Sequence, residues 1–278
     1  GGLCEPAPTY VEANNTLLRV QMTGPEDPKL LANPHHSAHG AFSLLFSSWP
    51  PEEHRPGCHW TGDAVKQMYV VGAGEDLLPG GPSREGAAGV RVDCGWKRVD
   101  EKNWIGFVGE KGERLLVYSL HPHTVLQSRG ADGACVEGWS SSSFRPFGEL
   151  AELVGGAARL RGSGTALKYQ GAYLALMHVL SADRKYVTVA YKFQARAPFR
   201  VTAVSRPLPL QGEGAAFASG LALPVGDEET LPGDEEPQPE KVVVTYGVRD
   251  AQSRALVMTV DYFESLFDWC SYDSDAQV

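Results

Sequence analysis

Long apolar runs are missing from this 278-residue chain. None approaches the ~18–20 residues of a membrane-spanning helix, so the sequence offers no direct membrane span. No signal peptide or anchor is visible, which is compatible with a trimmed chain or one lacking an upstream part. Clusters of Lys and Arg are missing too. The 25 basic residues are outnumbered by 34 acidic ones, for a net charge of −9, which argues against a nucleic-acid backbone as partner. Cysteine is sparse and scattered: Cys4, Cys58, Cys94, Cys135 and Cys270 form no CxxC and no Cys/His set at zinc spacing. Two disulfides plus a free thiol, or five reduced thiols, both fit. There is no GxSxG, and the glycine-rich "GSGTALKY" (162–169) lacks the lysine and helix of a phosphate-binding P-loop. No metal or cofactor is expected.

Turn formers and short strand signals are present instead. The chain has 31 Gly and 19 Pro. Between them lie "HGAFSLLFSS" (39–48), "KQMYVV" (66–71), "RLLVYSL" (114–120), "AYLALMHVL" (172–180), "KYVTVAYKF" (185–193), "FRVTAVS" (199–205), "KVVVTYGV" (241–248) and "RALVMTV" (254–260). Each is β-branched or aromatic and bounded by breakers. Helix candidates are two and short, at 148–160 and 261–270. Residues 121–144 decay into a flexible Gly/Ser stretch. "DEETLPGDEEPQPE" (227–240), with seven acids and three prolines, reads as a solvated, flexible acidic loop. "NNT" (14–16) matches an N-glycosylation acceptor and, with the cysteines, points toward the secretory pathway, either Golgi lumen or extracellular.

The strands fall into loose repeats starting at Asp27, Asn103, Thr165 and Ser219. Each unit runs from a polar or small entrance through a short strand and a turn to a more apolar strand. That is the logic of a propeller blade. The expectation is a single all-β domain over 1–278, a five-bladed β-propeller with four blades clear in sequence and only short helices. A fifth blade would come from residues 1–22 plus the C-terminal tail, or from upstream.

"GPEDPKLL", "KNWIGFVGEKGERLLVYSLHPHTVLQ", "GTALKYQGAYLALMHV" and "FASGLALP…VVVTYGVRDAQSRALVM", in that order, resemble the five-bladed propellers of the β-mannoside phosphorylase and β-mannosyltransferase superfamily. They are similar to a related group of propeller glycosyltransferases as well. Propeller glycosidases that cut arabinans and fructans match less well. The resemblance implies that Asp27, the acid of an EDP(R/K) motif with Lys29 in place of the commoner Arg, lines a central pocket and gives acid assistance at the glycosidic oxygen. It places Lys102, His121 and His123 in or near a segment that holds phosphate in phosphorylases, and it turns the segment of His178 toward the pocket.

The residues allow other readings. Neighbours on a strand point to opposite faces, so only one of Glu26 and Asp27 can face an axis. Asp27 is the candidate acid and Glu26 a hydroxyl binder; alternatively Asp27 caps a turn beside Pro28. His121 and His123 share one face if both are extended, and could donate to a hydroxyl or phosphate; alternatively they sit on a blade edge. His178 ends an apolar strand, where a lone histidine is more often a core residue. Tyr246 could stack on a sugar and Asp250 accept a hydroxyl, unless Asp250 closes an Asx turn. Asn103 stands at the second entrance as a further ligand contact. His35, His36 and His39 have no carboxylate at ligand spacing and read as a solvated loop. The functional expectation is a glycosyltransferase with a sugar donor and a glycan acceptor as partners. The alternatives are a glycoside phosphorylase or hydrolase, and a non-catalytic propeller that binds glycan or protein.

Overall fold

The computed structural model of the chain describes residues 9–13, 16–20, 26–32, 42–48, 67–73, 90–94, 103–128, 134–153, 156, 160–180, 186–211, 216–224, 239–249 and 252–267. The chain forms two compact units, one of residues 1–102 and 128–135, the other of 103–127 and 136–278.

In the first unit, β1 (Thr9–Ala13) and β2 (Thr16–Val20) make a hairpin, with Ala13 opposite Thr16. Next comes an antiparallel sheet in the order β3 (Glu26–Ala32), β4 (Phe42–Ser48), β5 (Gln67–Ala73), β6 (Val90–Arg91). Leu31, Leu45, Met68 and Val92 are buried; Lys29 and Leu31 turn inward while Leu30 is exposed, the two-residue period of a strand covered on one face. The Val92 N–H donates to the Met68 carbonyl at 2.8 Å, and a disulfide joins Cys94 to Cys135 beside an Asp93–Ala134 bridge.

The second unit holds β7 (Ile105–Val108), β8 (Arg114–Leu120), β9 (His123–Ser128), β10 (Cys135–Ser141), β11 (Leu160–Tyr169), β12 (Ala172–Leu180), β13 (Tyr186–Gln194) and β14 (Val201–Pro207). They form one eight-stranded sheet in the order β10-β9-β8-β7-β11-β12-β13-β14. Two four-stranded blades therefore meet at their innermost strands, β7 and β11, which run parallel with Thr165 opposite Gly106. A three-stranded sheet follows: β15 (Ala216–Ala222), β16 (Lys241–Val248), β17 (Gln252–Thr259).

β12 shows why its sequence is an unbroken apolar run. Tyr173, Ala175, Met177 and Val179 join one core with Phe107, Tyr191 and Phe193; Leu174 and Leu176 join a second with Val242, Val244 and Tyr246. Both faces are covered, so alternation disappears from the sequence. Aromatic packing fixes the first core: Phe107 lies 4.6 Å from Tyr173 and 5.2 Å from Phe193, centroid to centroid. The Tyr173 hydroxyl donates to the Val108 carbonyl at 2.6 Å. Burial, aided by Glu113 and Glu110, pushes it up to about 12.

The helices are α1 (Arg145–Leu153) and α2 (Val260–Ser265). α1 starts three residues before the expected 148–160 and stops well short of it. The Gly156 N–H folds back to the Ala151 carbonyl at 2.7 Å, in a glycine with φ +131°, the kind of left-handed termination that side chains resist. Thr259 caps α2 by accepting from the Tyr262 N–H at 3.3 Å. Lys192 then clamps α2, 2.5 Å from Glu264 and 4.5 Å above the Phe267 ring. Within the stretch expected to be flexible at 121–144 lie β9 and β10. Pairing in the sheet, with His123, Val125 and Leu126 turned inward, overrides the weak local propensity.

Candidate functional site

The three blade entrances of the second unit come together at the glycines of β11. Opposite β12, the register slips between Ser163 and Leu167, so Gly164, Thr165 and Ala166 bulge out of the β11–β12 ladder. The bulge turns Thr165 onto Gly106 of β7. A Cβ on Gly162 would stand 2.5 Å from the Asn103 carbonyl oxygen. One on Gly164, where φ is +67°, would stand 3.1 Å from the Ser219 carbonyl oxygen. Only residues without a side chain let the second, third and fourth entrances approach this closely.

Each entrance carries a neutral polar group. Asn103 opens the second blade in the left-handed region, φ 62°, which Asn tolerates better than most residues. Buried Trp104, edge-on to Tyr118 at 5.0 Å, anchors it from the next position. The Asn103 Oδ1 is enclosed and has no partner among the described residues, a cost of about 1–3 kcal/mol. Ser219 bonds the Thr245 carbonyl and hydroxyl, both at 3.2 Å, and remains exposed. Ser163 is fully buried between the two glycines, its Oγ 2.9 Å from the His178 Nδ1. The His178 ring lies against Phe217 at 4.8 Å and Tyr186 at 5.3 Å. Exposed Ser219 and half-buried Asn103 are groups of the kind that recognise hydroxyls, whereas Ser163 and His178 are sealed from solvent. Among the described residues, no set of three or more His, Cys, Asp or Glu could hold a metal ion.

The sequence-derived candidates are placed as follows. β3 begins at Glu26, opposite Ser47, and its register is irregular between Glu26 and Lys29, so Asp27 lies in a kinked strand start. The side chains of Glu26 and Asp27 lie outside the described residues, as do Lys102 and Asp250 entirely. His121 and His123 do not form a pair on one face. His121 is in the β8–β9 turn, its imidazole packed toward Gly148 of α1. His123 is inside β9, against Phe193 at 5.2 Å and Tyr191 at 5.8 Å. Burial pushes its imidazole down to about 4, held back only in part by the Phe199 backbone, with which it makes no hydrogen bond of normal geometry. Tyr246 is buried, its hydroxyl accepting from the Gln211 N–H at 3.3 Å. His178 is buried as well, in the Ser163 pair. Ser163 was not singled out by sequence. Its signal was its place between two glycines at a blade start, which marks close backbone approach but not what approaches.

No family model and no curated protein matches this chain. Among solved structures it is similar to a β-1,2-mannobiose phosphorylase from Listeria innocua in complex with β-1,2-mannobiose, at 13% identity and a TM-score of 0.52. That match covers 88% of this chain and 61% of the phosphorylase chain, so this chain spans about three-fifths of its length. It also aligns with the GH43 BlXynB protein from Bacillus licheniformis, at 13% identity, a TM-score of 0.44, and 85% and 41% coverage of the two chains. The fold is the one the sequence led us to expect, an all-β five-bladed propeller with only short helices.

Proposed function

We propose that this chain is a propeller that acts on glycosides, breaking or remaking a glycosidic bond as a phosphorylase or hydrolase. The observation that carries this reading is the shared fold, across 88% of the chain, with a protein named as a β-1,2-mannobiose phosphorylase. The neutral polar entrances of the second unit support it, because they suit hydroxyl-rich ligands. Asp27 is the carboxylate we assign as acid. It would protonate the glycosidic oxygen as the bond to the anomeric carbon breaks, and phosphate or water would form the new bond there. Sugar transfer is the same chemistry with a sugar hydroxyl as the incoming group.

The test is incubation of the full chain with β-1,2-mannobiose, with and without inorganic phosphate. Phosphorolysis gives mannose 1-phosphate and mannose; hydrolysis gives mannose alone. Longer mannosides formed from mannose 1-phosphate and mannose would assign the synthetic direction. Asp27→Asn is expected to lower the rate ~10²–10⁴-fold at an unchanged melting temperature. A folded wild-type chain inert in all three assays would remove the proposal, and an active Asp27→Asn with a lowered melting point would make Asp27 a turn residue.

A further inference from the structure

We infer that Ser163 and His178 are a positioning pair that holds the β11 bulge, and through it the ligand-facing geometry of the blade entrances; this rests on the proposal that the entrances face a sugar. Ser163 is the last residue before the register of β11 slips against β12. Its Oγ is 2.9 Å from the His178 Nδ1, and both residues are buried, at 0% and 1% exposure. Ser163 stands opposite Leu176 across the strands, so its bond to His178 is a diagonal one, reaching two residues along β12.

The histidine end is held independently of the serine. The His178 ring packs edge-to-face on Phe217, in β15 at the edge of the three-stranded sheet, and on Tyr186, at the start of β13. A ring fixed on those two sides offers Nδ1 at one place, and the serine hydroxyl must come to it. What the hydrogen bond fixes is the residue from which the bulge departs. Three residues, Gly164 to Ala166, then leave the β12 ladder, and they contain the left-handed turn at Gly164 and the contact of Thr165 with Gly106. Without that anchor the register could slide, because flat, glycine-rich strands specify register weakly. His178 therefore acts on a ligand through Ser163 and the bulge, not by touching it. A catalytic dyad is a poor description of the pair, since neither group reaches solvent.

The experiment separates positioning from plain stability. Amide hydrogen exchange of residues 164–166, read by mass spectrometry or NMR, is compared with the melting temperature for wild type, Ser163→Ala, His178→Phe, the double variant of these two, and His178→Asn. Phe keeps the ring contacts and loses the hydrogen bond, whereas the Asn amide can stand where Nδ1 does. We expect exchange across 164–166 to speed about tenfold in Ser163→Ala and His178→Phe, with no more than that in the double variant, and to return toward wild type in His178→Asn. With β-1,2-mannobiose and inorganic phosphate, the same two variants should raise KM about five- to tenfold at a kcat within twofold of wild type. Unchanged exchange in Ser163→Ala would overturn the inference, and so would a fall in kcat at constant KM. If wild type does not turn over mannobiose, the functional proposal fails, and the exchange measurement still decides whether the pair holds the bulge. Should His178→Phe not fold, Ser163→Ala and His178→Asn suffice.

Discussion

His123 is enclosed by Tyr191 and Phe193, and neither ring nitrogen has a hydrogen-bond partner among the described residues. Burial lowers its pKa from 6.5 to about 4, so the folded state resists protonation that the unfolded chain accepts. The associated stability is complete above pH 6.5 and drains away as pH falls from 6.5 toward 4. At about 1.4 kcal/mol per unit, the loss at pH 5 is ~2 kcal/mol. His123→Phe should abolish that part of the pH dependence, because the core around it is aromatic and nothing is left unpaired. Urea unfolding of both proteins at pH 7 and pH 5 checks this: the wild type should lose about 2 kcal/mol more than the variant. Equal losses would mean that His123 is not the buried neutral imidazole described above. The same residue shows a limit of reading from sequence. A period of two puts positions 121 and 123 on one face only if both are extended, and the turn at His121 and Pro122 breaks that condition.

At the scale of elements, three glycines around β11 separate two costs that sequence runs together. Gly171, in the tight turn to β12, has φ +76°, and a Cβ there would meet no described atom within 4 Å. Gly164 has φ +67° and the Ser219 carbonyl at 3.1 Å; Gly162 has no positive φ but would meet the Asn103 carbonyl at 2.5 Å. Alanine at Gly171 should therefore cost only backbone strain, roughly 1–2 kcal/mol. Gly164→Ala should cost that and somewhat more, since a backbone neighbour must give way. Gly162→Ala should be the most damaging, because the second blade itself must shift. Melting temperatures should fall in the order Gly171→Ala, Gly164→Ala, Gly162→Ala, the last lowest; a Gly162→Ala protein as stable as wild type would contradict the packing of the entrances. The glycine pattern was visible in sequence as a tight blade start, whereas the identity of the opposing backbone was not, since Asn103 and Ser219 are brought there only by the tertiary fold. Strands such as 114–120, 172–180 and 241–248 were legible to the residue because their apolar content is high enough to mark them without neighbours. β10 was not: "CVEGWSS" has little strand signal of its own, and its place comes from the sheet.

For the whole molecule, the repeat of polar entrance, short strand and apolar strand was enough to give the propeller, because each blade must bury two faces and leave its entrances polar. The acid at Asp27 belongs to a different kind of statement, resting on a resemblance and on chemistry. The acidic segment near the end of the chain offers a test of how self-contained the blades are. It lies between β15 and β16, and Ala222 of the one is paired with Val243 of the other. The two strands are already neighbours, so the connection has only to close a hairpin. Its sequence, rich in Asp, Glu and Pro, has nothing apolar to contribute to a core beyond Leu231. One contact limits what can be removed: the Glu240 carbonyl accepts from the Val260 N–H at 3.0 Å, at the start of α2. Replacing residues 227–238 with a short Gly/Ser turn, and keeping Pro239 and Glu240, should leave the fold intact. Residues 223–240 connect the two strands, and exchanging twelve of them for a three-residue turn about halves that length, which is worth ~0.6 kcal/mol in favour of the folded state. For a chain of this size that raises the melting temperature by about 1–2 °C. A fall of more than about 5 °C on this replacement would show that the acidic segment packs against the blades.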